Sequence, residues 1–138
     1  MDGKAREDYL RAIYHLEEEQ EQDPSVRGVS SAAVAGYLHV SKSSVSEMVG
    51  NLGREGFVQP ARYGKIRLTR KGRAESTAIT RRHRIIEVFL SDVLRLKGGL
   101  VHEEAHRLEH AFSDESIDSI ARLIRGKRQC PHGKRIPS

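Results

Sequence analysis

A chain of 138 residues, 37% hydrophobic and 31% charged, is one domain's length or two small domains. No apolar run reaches the about 18 residues of a membrane span. Met1 to Glu7 lack the apolar core of a secretion signal, and a single cysteine, Cys130, excludes an internal disulfide and suits a reducing cytoplasm.

The net charge is +5, and its distribution says more than its size. Between Arg54 and Arg84 ten Lys or Arg face two acids, Glu55 and Glu75. Acids and histidines gather instead at Glu7–Glu21 and His102–Glu115. A basic middle suggests a polyanion surface, and the His/Glu-rich half suggests a metal or proton site.

A first helix is expected over about Ala5–Gln20, where Leu10, Ile13 and Tyr14 keep helical spacing. Asp23-Pro24-Ser25 and Gly28 break it. Ser30 or Ser31 caps a second helix, Ala32–Leu38, and after His39-Val40 Ser41 caps a third with Val45, Met48, Val49 and Leu52 on one face. Gly56 suits the residue beyond its C-terminus. Phe57-Val58-Gln59 and Ile66-Arg67-Leu68 read as two strands joined by the turn Arg62-Tyr63-Gly64-Lys65. A long fourth helix is expected from about Arg70 to Leu96, with a stripe of Ala78, the Arg82 stem, Ile85, Ile86, Phe89, Val93 and Leu96, ended by Gly98-Gly99. A fifth covers about Leu100–Phe112, and a sixth, capped by Ser113, buries Ile117, Ile120, Ala121 and Ile124. The tail from Gly126 reads as basic and irregular.

Helix, short turn, helix and hairpin is the layout of a winged helix-turn-helix. The first turns of the third helix carry Lys42, Ser43, Ser44, Ser46 and Glu47. Small or polar residues there let a helix approach closely, and hydroxyls with the helix N-terminus reach phosphates and base edges. Glu47 can accept from cytosine N4. Arg62, Lys65 and Arg67 on the wing would meet phosphates. The alternative for a basic run alone is a solvated hairpin on an ordinary helical domain.

His102, His106, Glu109 and His110 follow i, i+4, i+7, i+8 spacing, so one helix face carries all four. His83 and Glu87 form an i, i+4 pair on the fourth helix, and Asp8 lies near the start of the first. Imidazoles and carboxylates at a core boundary suit a divalent first-row metal. His102-Glu103-Glu104-Ala105-His106 also matches the H-E-x-x-H zinc-protease signature. A hydrolase of that type would need a substrate cleft, often edged by a strand, and the only expected strands belong to the wing.

Six segments, Glu7–Tyr14, Ser41–Glu47, Leu68-Thr69-Arg70-Lys71-Gly72, Arg82-His83-Arg84, Val101–His110 and Cys130–Pro137, resemble in order the diphtheria-toxin-repressor/manganese-transport-regulator (DtxR/MntR) family of metal-dependent repressors. The resemblance implies a mainly α fold with a small β-wing. It implies a winged helix-turn-helix DNA-binding domain over 1–72, then a helical dimerisation and metal-binding domain over 73–138. It further implies a cytoplasmic homodimer that represses metal-homeostasis genes on a palindromic operator when Fe2+ or Mn2+ binds, with other divalent metals such as zinc also able to bind.

Carried over by position, the primary ligands are Asp8, His106, Glu109 and His110. His83 is a ligand in manganese-type members. In iron-type members the positions of His83, Glu87 and His102 form an ancillary site, and Cys130 and His132 serve a secondary site in some members. A chain-turning segment is the other reading of Cys130-Pro131-His132. The chain departs from the pattern at Arg11, where manganese-type members often have a second acid, and at His106, where Cys or Glu is commoner. Iron-type members continue into an SH3-like domain past the last motif, so the expectation is a two-domain member or a shortened chain. The rival readings are a metal-independent winged-helix regulator and the zinc hydrolase.

Overall fold

The computed structural model describes residues 3–21, 28–60, 64–125 and 127–138. The chain forms two compact units, Met1–Thr77 and Ala78–Ser138, with the boundary inside one helix. Among the described residues no helix is long and apolar enough to cross a membrane.

The first unit contains α1 (Gly3–Gln20), β1 (Val29–Ser30), α2 (Ser31–Leu38), α3 (Lys42–Arg54), β2 (Val58–Pro60), β3 (Lys65–Leu68) and the first turns of α4 (Arg70–Val88). α1 buries Tyr9, Leu10 and Ile13 against Val34, Val45 and Leu52 of the next two helices and Val29, Val58 and Ile66 of the sheet. Each fully buried Leu, Ile or Val side chain removed from water stabilises the unit by about 1.5–3 kcal/mol. The Ser30 hydroxyl accepts from Ala33 N at 3.0 Å and starts α2. α2 stops at His39, which takes the left-handed region at φ 57. The Ser41 hydroxyl then accepts from Ser44 N at 3.0 Å and starts α3 at Lys42. Gly56, at φ +85, closes α3 and turns the chain into β2.

Among the described residues the sheet has three strands in the order β1-β3-β2, both pairings antiparallel. The sequence pattern indicates only two. β1 is two residues long, too short to show an alternation, yet it pairs Val29 with Ile66 and Ser30 with Lys65. Arg62 and Tyr63 of the expected turn lie outside the described residues.

Thr69 caps α4: its hydroxyl accepts from Gly72 N at 3.0 Å and donates to the Gly56 carbonyl at 2.6 Å. Lys71 Nζ donates to the Glu55 carbonyl at 2.8 Å, so the start of α4 also caps the end of α3. A Cβ on Gly72 would lie 1.9 Å from the Phe57 carbonyl oxygen, and only glycine permits this approach.

The second unit continues with the rest of α4, α5 (Gly99–Glu109) and α6 (Asp114–Leu123). Its core is Ile85, Ile86, Val88, Leu90, Val101, Ala105, Ile117, Ile120 and Ile124. The helix expected to reach Leu96 gives way at Phe89–Val93 to a π-helical turn, in which Leu94 N donates to Phe89 O at 3.2 Å. Arg95 then takes the left-handed region at φ 61. The stripe misleads here because Val93 is 45% exposed, Ala78 is exposed, and Leu96 packs on the core from a loop. Gly99 begins α5, which ends at Glu109, short of the expected Phe112. Ser113 caps α6, with Asp114 and Glu115 at its positive end.

The tail is more ordered than its composition suggests. Gln129 bridges Arg135, Cys130 N donates to Lys134 O at 2.8 Å, and Ile136 N donates to Arg128 O at 2.7 Å. Arg84, itself buried, donates to the Arg135 carbonyl at 2.6 Å and fixes this loop.

Candidate metal centre and nucleic-acid interface

Helix periodicity sets the first group of donors. His83 and Glu87 are one turn apart on α4 and both buried, and α5 brings His102 to them. Three imidazoles converge on one carboxylate oxygen. Glu87 Oε2 lies 3.4 Å from His83 Nε2, 3.5 Å from His102 Nδ1 and 3.0 Å from His132 Nδ1. Burial alone would raise the Glu87 carboxyl. Hydrogen bonds with His102 and His83, and the charge of His83 and His132, hold it well below the usual carboxylate range instead.

The ordered tail loop supplies the second group, Glu87 with Cys130 and His132. Cys130 is buried, and burial pushes its thiol up, aided by the nearby Glu87 charge and opposed by the Lys134 backbone contact. Glu87 is therefore common to both groups.

The last turn of α5 supplies the third. Glu109 is buried, with Oε1 4.0 Å from His106 Nε2 and 3.5 Å from His110 Nε2. Its other oxygen, Oε2, lies 2.9 Å from His83 Nδ1. His83 thus faces Glu109 with one ring nitrogen and Glu87 and His102 with the other. Asp8, the remaining expected ligand, stands half-buried on α1 of the first unit.

These donor sets fit a divalent ion. Donor atoms within each set lie within 4.8 Å of one another. Two ligands of one ion are separated by at most twice a bond of about 2.3 Å, so small side-chain rotations close each set. Imidazole with carboxylate suits iron, manganese or zinc, and the thiol of Cys130 makes its set softer.

The H-E-x-x-H reading loses its geometry. His102 joins Glu87 and His83, whereas His106 joins Glu109 and His110, and Glu103 is exposed between them. A zinc protease needs both histidines on one ion and the glutamate beside it.

In the first unit, α3 leaves Lys42, Ser43, Ser44, Ser46 and Glu47 exposed while Val45 and Leu52 anchor its other face. Ser43 and Ser44 hydroxyls are held by Ser41 at 3.1 and 2.9 Å. On β3 Arg67 is exposed and Lys65 half-buried, flanking the buried Ile66. Arg62 lies outside the described residues. Sequence reasoning missed Arg82 as a polar element. Its position in the apolar stripe suggests only a buried stem, yet its guanidinium reaches three acceptors around the end of α5.

Comparison with known proteins extends this picture. Residues 3–66 match the family described as iron dependent repressor, N-terminal DNA binding domain, and residues 69–138 match iron dependent repressor, metal binding and dimerisation domain. The diphtheria toxin repressor of Corynebacterium diphtheriae is 37% identical over 131 residues, covering 94% of this chain and 54% of the relative. A solved manganese-dependent transcriptional repressor in complex with manganese superposes with a TM-score of 0.83 at 35% identity, over 96% of this chain and 58% of that one. The metal-dependent transcriptional regulator MtsR gives 0.84 at 36% identity, over 96% and 59%. The chain therefore spans about half the length of the curated relatives it matches. With a winged helix-turn-helix in one unit, clustered metal donors in the other and both family domains matched in order, the chain belongs to the iron-dependent repressor family.

Proposed function

We propose that the protein is a metal-activated, homodimeric, DNA-binding transcriptional repressor that acts in the cytoplasm on metal-homeostasis genes, with Fe2+ or Mn2+ as the activating ion. The observation that carries this reading is the buried Glu109 carboxylate facing His106 and His110 on a chain that also carries an exposed recognition helix. A buried carboxylate surrounded by imidazoles is costly as a packing device and well suited as a ligand.

In this reading Asp8, His106, Glu109 and His110 are the primary ligands, by their match to the family pattern. His83, Glu87 and His102 form the ancillary set, with Cys130 and His132 as further donors on Glu87. Residues 1–72 act as the DNA-binding domain and 73–138 as the dimerisation and metal-binding domain. The ion, when bound, supplies positive charge that draws anionic and imidazole donors to one point. Asp8 belongs to the helix that buries Leu10 and Ile13 beneath α3, so anchoring Asp8 fixes the helix on which the recognition helix rests.

In a dimer the two recognition helices must be separated by about 34–36 Å, one helical turn of DNA, or a multiple of it, to engage a palindromic site. Anchoring would raise the population of that arrangement. Lys42, Ser43, Ser44, Ser46 and Glu47 would face base edges and adjacent phosphates, and Arg62, Lys65 and Arg67 phosphates beside them. Manganese-complexed and iron-named relatives support either ion. Operator binding measured side by side with Fe2+, Mn2+ and excess chelator tests the proposal. Binding that persists undiminished in chelator would point to a metal-independent regulator.

A further inference from the structure

The end of α5 is held by a side chain outside the donor sets. A helix leaves its last carbonyls without intrahelical partners, and α5 ends at Glu109 itself. Arg82 on α4 meets this need. Its Nε donates to the Glu109 carbonyl at 3.2 Å, one terminal nitrogen donates to the Phe112 carbonyl, and the other to Asp114 Oδ1 at 2.6 Å. One planar fork thus ties together the last residue of α5, the connecting loop and the first residue of α6. The Arg82 side chain is 18% exposed, so its bonds to the two backbone carbonyls are partly shielded from water, whereas the arm to Asp114 is exposed.

The next residue, His83, holds the Glu109 carboxylate through Oε2 at 2.9 Å. Consecutive residues of α4 therefore grip Glu109 at both ends, Arg82 by its backbone and His83 by its side chain. With both ends fixed, Glu109 Oε1 is directed at the His106 and His110 rings.

We propose that Arg82 is a positioning residue for metal binding. Its guanidinium fork sets the Glu109–His110 turn in the geometry that ligation requires, and it does not touch the ion. The proposal rests on the reading of Glu109 and His110 as ligands. Geometry and charge make different demands here. A lysine keeps positive charge at the negative end of α5 but has no planar fork to span three acceptors.

Cobalt(II) titration of the full chain, with His102→Ala in every sample to remove the other thiolate-free donor group, separates the sites. Ions bound at Cys130 show a thiolate-to-cobalt charge-transfer band, and ions at Glu109 and His110 show only ligand-field bands. Loss of an outer-shell partner typically weakens metal binding about 10–100-fold, and Arg82→Ala is expected to do so for the thiolate-free class alone. The thiolate class should stay within about twofold, and Arg82→Lys should still weaken the thiolate-free class by about tenfold or more. Asp114→Ala removes only the exposed arm of the fork and should leave both classes within about twofold.

Equal loss in both classes, no loss in either, or full rescue by lysine would overturn the proposal. Should Arg82→Ala fail to fold, Arg82→Lys decides by the same comparison. A His102→Ala chain that keeps Arg82 yet shows no thiolate-free class would refute the ligand reading itself, and the role of Arg82 with it.

Discussion

Glu87→Gln is a sensitive probe of the second unit because one carboxylate oxygen faces three imidazoles. The side chain is 3% exposed, and only the His132 contact, at 3.0 Å, is well inside hydrogen-bond range; His83 and His102 lie at 3.4 and 3.5 Å. A hydrogen bond to a charged group contributes roughly 1.5–3 kcal/mol and a neutral one about 0.5–1.5. Glutamine keeps the shape and one acceptor, so without metal the variant should lose about 1 kcal/mol, part of which is offset because no charge remains buried. In a domain of 60–100 residues that is about 4–8 °C in Tm.

With metal the change is larger. An ion at 100 times its Kd stabilises the state it binds by about 2.7 kcal/mol, and Glu87 belongs to both the His102 and the Cys130 donor groups. His102→Ala and Cys130→Ser should each remove one group's share of zinc-induced stabilisation. Glu87→Gln alone should remove as much as the two together. The assay is thermal unfolding with and without zinc, with calorimetric titration for stoichiometry. A Glu87→Gln chain that keeps either group's binding refutes the shared carboxylate.

Lys65→Ala should weaken binding to all DNA sequences alike and reduce the salt slope by about one unit, whereas Ser43 or Glu47 substitutions should change base preference; fluorescence anisotropy across a salt series checks both. Gly72→Ala should destabilise the first unit by about 1–3 kcal/mol or more, because the added Cβ meets the Phe57 carbonyl oxygen at 1.9 Å; denaturant unfolding measures it. The Cys130 thiol is raised by burial and so is protonated at neutral pH. Metal binding there must release a proton, so affinity at that set should rise about tenfold per pH unit until the thiol itself ionises, and Cys130→Ser should lower the slope by one proton.

The legible parts of this protein are those governed by local rules. Ser30, Ser41 and Ser113 mark helix starts through a hydroxyl that satisfies an orphan N–H, and each does so in the structure. Gly56 marks a left-handed residue. β1 was hidden because two residues carry no period, and their strand character comes entirely from Ile66 and Lys65 across the ladder. The far end of α4 misled because Val93, Leu94 and Leu96 continue an apolar pattern after the backbone has left the helix.

At the site, i, i+4 spacing picked out the donor types but not their grouping. His102 and His106 share a helix face, and only the packing of α4 and the tail loop sends His102 to Glu87 while His106 stays with Glu109. Nor does composition reveal that Cys130 and His132 sit beside Glu87, since their loop is shaped by backbone bonds and by Arg84.

The central claim is that metal held by the last turn of α5 controls DNA binding. The most direct test is metal-stimulated operator binding by His106→Ala beside Glu103→Gln. His106 faces Glu109, whereas Glu103 is exposed and belongs to none of the donor groups. His106→Ala is expected to lose metal stimulation while keeping its fold, and Glu103→Gln to respond to metal like the unaltered chain. A His106→Ala chain that is still fully activated by metal, beside a Glu103→Gln chain that is not, would contradict the claim.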